Sequence, residues 1–113
     1  MLKLENLLKF KNGILNYMEL KVIKTKLPEG FKENVKIAQK KGVSALLNDV
    51  KGYILISVYA NNRPVGRFMF EVQYDKCIIK KFHIIENEFY PLEIALTELL
   101  TYCKKHKIKT IEY

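Results

Sequence analysis

The chain has 113 residues, 49% of them hydrophobic and 28% charged, which is the balance of a single globular domain with a core of its own. No apolar run reaches the roughly 18 residues of a membrane span, and residues 1–5 are too polar to begin a signal peptide, so we expect a cytoplasmic protein without membrane contact. The formal net charge of +8 is spread along the chain and carried almost entirely by lysines. Nucleic-acid binders favour arginine forks, so this charge does not by itself predict nucleic-acid binding.

Two segments precede the first clear helix. Residues 1–18 form an N-terminal extension whose apolar spacing favours a short helix ending near Asn12, although Asn12-Gly13 is also a hairpin signal. Residues 19–27 alternate and contain β-branched side chains, which predicts a strand. The sequence Pro28-Glu29-Gly30 ends that strand.

Two helices are predicted next. Residues 31–41 place Phe31, Val35 and Ala38 on one stripe, and Gly42 is a fitting C-terminal stop. Residues 43–50 continue with apolar side chains at i, i+3, i+4 and i+7. That spacing predicts a second short helix.

A three-stranded antiparallel meander follows. The runs 53–60, 65–74 and 77–85 are rich in β-branched and aromatic residues, and turn residues separate them. Residues 91–106 then give the clearest helix of the chain, with proline at its first position and lysines near its end. A final strand at 108–113 would follow a right-handed crossover and pair in parallel.

The reactive side chains do not predict a catalytic or metal site. Cys77 and Cys103 lie far apart among apolar residues, which favours buried free thiols, with a disulfide or a nucleophile as the alternatives. His83 and His106 have no partner at metal-ligand spacing. Glu71 could be imagined as a general base, but a lone strand glutamate is usually a solvated side chain. We therefore predict no catalytic residue and no metal ligand.

The order of strand, two helices, meander, helix and strand resembles the GNAT superfamily of acetyl-CoA-dependent N-acetyltransferases over about residues 19–113. The resemblance implies a mixed α+β (α/β) fold: a GNAT-like central sheet with an antiparallel meander, then strand, helix and strand, without the family's last helix and strands. Residues 1–113 would form one such domain. The residues that carry the resemblance are Tyr59-Ala60-Asn61-Asn62-Arg63-Pro64-Val65-Gly66 for the family's second hairpin, residues 82–85 for the end of its fourth strand, and Ala95-Leu96-Thr97-Glu98-Leu99-Leu100 for its cofactor helix.

The loop after residue 85 departs from the family's pattern. The family has Gln/Arg-x-x-Gly-x-Gly/Ala there to cradle the pyrophosphate of coenzyme A, whereas this chain has Glu86-Asn87-Glu88-Phe89-Tyr90-Pro91. No glycine lets the backbone approach a phosphate, and two carboxylates would repel one. The family's C-terminal tyrosine, which protonates the leaving thiolate, also has no counterpart. We therefore expect no cofactor.

A kept scaffold without its phosphate loop favours a non-catalytic, GNAT-like protein-binding module. By analogy, such a module could be a phage or mobile-element inhibitor of a host protein. The first alternative is an acetyl-CoA-dependent N-acetyltransferase with a divergent cofactor loop. The second alternative is a basic nucleic-acid-binding module, with seven tyrosines but no recognised motif.

Two surfaces are predicted to contact other chains. In the loop, one aromatic ring should pack against the following helix while the other projects beside the carboxylates, because proline restricts the residue before it. The terminal strand should be an open sheet edge that pairs with a second copy to form a homodimer. The predicted partner-binding residues are Glu86, Glu88, Phe89 and Tyr90, and the predicted self-association residues are Ile108, Thr110, Ile111 and Tyr113.

Overall fold

One sheet with two helices on one face makes up the described part of the chain. The computed structural model describes residues 19–21 and 30–112, and within them six strands lie in the order β1-β6-β5-β4-β3-β2. The predicted mixed α+β fold with a GNAT-like sheet is confirmed. The elements are β1 Glu19–Lys21, α1 Phe31–Lys40, β2 Val43–Val50, β3 Tyr53–Ala60, β4 Arg63–Gln73, β5 Lys76–Ile84, a 3-10 turn at Asn87–Phe89, α2 Pro91–Lys105 and β6 Thr110–Glu112.

The meander has four strands, and the helix predicted for residues 43–50 is wrong. Strand β2 pairs with β3 along its whole length, from Val43 opposite Ala60 to Val50 opposite Tyr53. A two-residue turn joins them, and both of its residues have positive φ, 42° at Lys51 and 87° at Gly52. Such turns match the twist of a hairpin. The apolar residues of this segment fit a period of two as well as a helical period, and the turn decides between them.

The later turns and helices agree with the sequence. Asn61 and Asn62 have positive φ and join β3 to β4, as the asparagine pair predicts. Helix α1 ends at Lys40, just before Gly42 with φ 79°. The predicted stripe of α2 is buried, and β6 runs parallel to β5. The buried residues of that stripe are Leu92, Ala95, Leu96, Leu99 and Cys103.

Strand β6 is not an open edge, so the predicted surface for self-association is wrong in its premise. Strand β1 pairs antiparallel with it, from Glu19 opposite Glu112 to Lys21 opposite Thr110. Ile108 and Ile111 are buried in the core, and Thr110 is half-buried. Strand β1 thus supplies backbone hydrogen-bond partners to the edge of β6 that faces away from β5. Tyr113, the helix predicted within residues 1–18 and the rest of the strand predicted to residue 27 lie outside the described residues.

Within the described residues, the two helices cover one face of the sheet and leave the other exposed. Alternate residues of β3, namely Ile54, Ile56 and Val58, are fully buried beneath the helices. Their neighbours Tyr53 and Leu55 point to the other face and are exposed, because side chains alternate along a strand. Neither helix has the length and hydropathy of a bilayer-spanning segment.

Candidate functional site

The predicted loop is packed more tightly than its sequence suggests. Glu88 is exposed, whereas Glu86 is partly covered and lies 3.9 Å from the guanidinium of Arg63. Phe89 and Tyr90 are both half-buried and both pack against the core. The expectation that one ring projects is therefore wrong.

Backbone conformation explains how both rings turn inward. A residue before proline is usually extended, but Tyr90 adopts left-handed angles, φ 51° and ψ 49°. The preceding 3-10 turn closes with a hydrogen bond from the Tyr90 N–H to the Asn87 carbonyl, 3.1 Å. The ammonium of Lys41 lies 5.9 Å from the centre of the Phe89 ring, within the range of a cation–π contact.

The first turn of α2 is buried. Pro91 at its start has no N–H to offer, and Leu92 and Glu93 are each 2% exposed. The Glu93 carboxylate accepts a hydrogen bond from the Asn34 side chain of α1, 3.2 Å away. Free N–H groups at a helix start bind phosphates only where a phosphate can reach them. This turn presents a buried carboxylate and a proline ring instead.

Glycine allows that close packing. Gly66 on β4 lies against the start of α2, and a Cβ added there would be 2.8 Å from the Cβ of Pro91 and 3.2 Å from Cε2 of Phe68. In the family resemblance this glycine belongs to the second hairpin. Here the absence of a side chain at Gly66 lets the start of α2 pack closely against β4.

The described residues contain three further groups that could take part in chemistry, namely two thiols and the strand carboxylate Glu71. The Sγ atoms of Cys77 and Cys103 are 3.9 Å apart, and both are buried free thiols, as predicted. Their contact, together with burial, raises the pKa of Cys103. Hydrogen bonds from Gln73 and Lys80 lower the pKa of Glu71, so that carboxylate is a poor general base. Across the described residues, no three histidine, cysteine or acidic side chains gather as metal ligands.

Raising the pH should weaken the fold through Tyr102. Its hydroxyl donates a 2.6 Å hydrogen bond to Asp49, tying α2 to β2. Burial, then that hydrogen bond and the Asp49 charge, raise the pKa of Tyr102 to about 12. Because the folded-state pKa is the higher one, the contribution is intact below about pH 10 and lost as pH rises through about 12. Denaturant melts should show the stability advantage of the native chain over Tyr102→Phe shrinking across that window. An advantage that stays constant would contradict the assignment.

The face of the sheet turned away from the two helices carries a cluster that the sequence did not predict. Strand pairing sets its side chains in rows, with Leu46, Ser57, Arg67 and His83 across one row. The next row holds Asn48, Leu55, Met69 and Lys81, and the third begins with Val50, Tyr53 and Glu71. The large apolar members of β2 and β3 are 36% to 55% exposed; they are Leu46, Val50, Tyr53 and Leu55.

A groove of about 490 Å³ runs over this face. Leu55 and Met69 form an apolar floor, and the side chains of Arg67, Lys81 and His83 line its edge. We call it the open-face groove; the side chains pointing into it are Leu55, Ser57, Arg67, Met69, Lys81 and His83. One signal in the sequence could have indicated this surface. Residues 53–56 are all large and apolar, whereas a strand with one buried and one solvated face usually alternates apolar and polar residues.

Comparison with known proteins supports the fold. No family model matches this sequence, and none of the curated protein sequences is similar to it. A solved structure that it does resemble is the C-terminal domain (DUF2156) of a putative lysylphosphatidylglycerol synthetase from Agrobacterium fabrum, a crystal structure at 2.05 Å resolution. The TM-score is 0.66 with 3% sequence identity, over 85% of this chain and 44% of that chain. The chain thus spans less than half of that neighbour's length, and at this identity the likeness concerns the fold alone, which is GNAT-like.

Proposed function

We propose that this chain is a non-catalytic protein-binding domain, a degenerate relative of the GNAT superfamily. The observation that carries the proposal is the set of exposed apolar side chains on β2 and β3, where Leu46 is 55% and Val50 49% exposed. Contiguous apolar surface on a small domain commonly marks an interaction site. A role as a phage or mobile-element inhibitor of a host protein is proposed by analogy only.

The buried start of α2 supports the non-catalytic part. Coenzyme A would need its pyrophosphate at this helix start, where Pro91, Leu92 and Glu93 are buried. Opening the turn would expose those side chains and set the ligand's charge beside a carboxylate. The GNAT-like fold nevertheless keeps an acetyltransferase as the alternative to be tested directly.

Calorimetry with acetyl-CoA tests that alternative. We expect no site stronger than about millimolar, equivalent to about −4 kcal/mol, because the buried first turn of α2 keeps a pyrophosphate away from the helix start. The titration is done near physiological salt, with a known acetyltransferase as the positive control. A micromolar dissociation constant would overturn the non-catalytic reading.

A paired capture experiment tests protein binding. The tagged chain is incubated with an extract of its source cells beside the double variant Leu46→Ser/Val50→Ser. We expect the double variant to capture at least about tenfold less of a given partner, as expected when interface anchors are truncated. Ile37→Ser removes a similarly exposed apolar side chain from α1 and should capture as much as the native chain. Equal capture by all three chains, at equal folding, contradicts this surface.

The loop residues form a separate arm of the same experiment. Phe89→Ala and Tyr90→Ala should both lower the free energy of unfolding, because both rings pack against the core. Glu88→Lys changes only an exposed side chain and isolates a recognition role of the loop. If Glu88→Lys leaves capture unchanged and the ring variants lose binding only in proportion to folding, the loop is structural.

A further inference from the structure

The open-face groove has a charge pattern that the proposed function does not use. Arg67 lies directly opposite His83, and Lys81 is two residues along β5 on the same face. Arg67, Lys81 and His83 are exposed, and within the described residues no carboxylate lies within ion-pair distance of Arg67 or Lys81. The acid in the neighbouring row, Glu71, is already held 3.1 Å from Lys80. Within the described residues, the charges of Arg67 and Lys81 are therefore not neutralised by a carboxylate.

Apolar side chains adjoin these charges in a fixed order. Leu55 lies opposite Met69, which in turn lies opposite Lys81, so the floor of the groove runs from aliphatic to cationic within one row. The apolar surface continues beyond the groove to Val50 and Tyr53. A small anion would leave that outer surface uncovered, whereas a polypeptide can span both parts.

We infer that the open-face groove binds a segment of a partner protein in which acidic residues flank an apolar side chain. The inference rests on the proposed protein-binding function and names the chemistry of the partner. Carboxylates would lie against Arg67 and Lys81, and the apolar side chain would lie against Leu55 and Met69. Complementary charge of this kind directs the encounter and sets orientation, while the apolar contact supplies most of the affinity.

Other occupants fit the groove less well. A nucleic acid would match the charge, but single-stranded binders stack successive bases on several aromatic rings. Here the apolar side chains beside the charges are Leu55 and Met69, and the exposed Tyr53 lies beyond the groove. The chain's own residues 1–18 contain lysines at 3, 9 and 11 against one acid, Glu5. Charge complementarity therefore does not select that segment.

Fluorescence anisotropy with a defined probe tests the inference. The probe is a labelled decapeptide in which glutamates flank two leucines; companion peptides replace the glutamates with lysines or the leucines with serines. We expect the acidic leucine peptide to bind at least about tenfold more tightly than either companion. The double variant Arg67→Ser/Lys81→Ser should lose at least about tenfold in affinity, and Leu55→Ser should also weaken binding.

A matched double variant distinguishes binding by the groove residues from nonspecific attraction to the positive net charge. Lys32→Ser/Lys36→Ser removes the same two charges from exposed positions of α1 and should leave affinity within about twofold at the same salt. Equal losses in the two double variants would mean diffuse attraction and overturn the inference. So would oligothymidylate binding that is as tight as the peptide and equally sensitive to Arg67→Ser/Lys81→Ser, which would assign the face to nucleic acid.

Two further results overturn the inference or separate it from the proposed function. If the native chain ignores the peptide but a chain with Leu4, Leu7 and Leu8 changed to serine binds it, the N-terminal segment occupies the groove. If no chain binds the peptide while Leu46→Ser/Val50→Ser still abolishes partner capture, the partner chemistry is wrong and the protein-binding function stands.

Discussion

Replacing Leu99 with alanine is expected to lower the free energy of unfolding by about 2–5 kcal/mol. Leu99 is fully buried in the middle of α2, on the face that packs over β2, β3 and β4. The substitution removes apolar contacts and leaves a cavity that the surrounding strands cannot close, because their pairing fixes their spacing. Denaturant unfolding followed by circular dichroism measures the change.

Lys105→Ala provides the control for that experiment. It lies on the same helix but is exposed, so the free energy of unfolding should change by less than about 0.5 kcal/mol. Both changes leave alanine, which keeps the helix propensity of the two variants comparable. Similar losses for Leu99 and Lys105 would mean that the buried face of α2 is misassigned.

Gly66→Ala is expected to destabilise the fold by about 1–3 kcal/mol. The added Cβ would meet the Pro91 ring at 2.8 Å, and that ring is fixed by the backbone of the helix start. Gly66 does not have positive φ, so alanine can adopt its backbone and gains up to about 1 kcal/mol from lower entropy of the unfolded chain. The steric term is the larger, and the net effect should be a loss in thermal or denaturant melts.

A double-mutant cycle identifies the clash. Pro91→Gly removes the Cβ that the new methyl group would meet, so Gly66→Ala should be less damaging in that background than in the native chain. A coupling energy of at least about 0.5 kcal/mol is expected for groups in contact. Additive losses would place the strain elsewhere, for example against the Phe68 ring at 3.2 Å.

Local patterns predicted most of the fold. Helix α2 has a proline start, an apolar stripe and a basic end, three signals that agree. The helix predicted for residues 43–50 was wrong because the apolar residues of that segment fit both a helical and a strand period. The turn that distinguishes the two has lysine, rather than asparagine, before Gly52. The prediction that β6 is an open edge was wrong for another reason. Leu20 pairs with Ile111, and these residues are too far apart in the sequence for a local pattern to predict their contact.

The candidate site was less predictable than the fold. The sequence located the loop before α2 correctly. The inward packing of Phe89, however, depends on the left-handed backbone of Tyr90, a conformation that is uncommon for tyrosine and for a residue before proline. The open-face groove could not be predicted from the sequence, because it brings together Leu55, Met69 and Lys81 from three strands. Their meeting depends on register, and the bulge between Met69 and Phe70 shifts that register by one residue.

The placement of β1 beside β6 also bears on the order in which the chain folds. Strands β2 to β5 are joined by two-residue turns, so their contacts close short loops, whereas Glu19 and Glu112 meet only after nearly the whole described chain is in place. Loop closure becomes less favourable by about 0.6 kcal/mol for each doubling of loop length. The meander can therefore form first as a local nucleus, and the β1–β6 ladder closes last and opens first. Amide hydrogens of Glu19–Lys21 should accordingly exchange with solvent well before those of β3 and β4, and uniform exchange across the sheet would contradict this order.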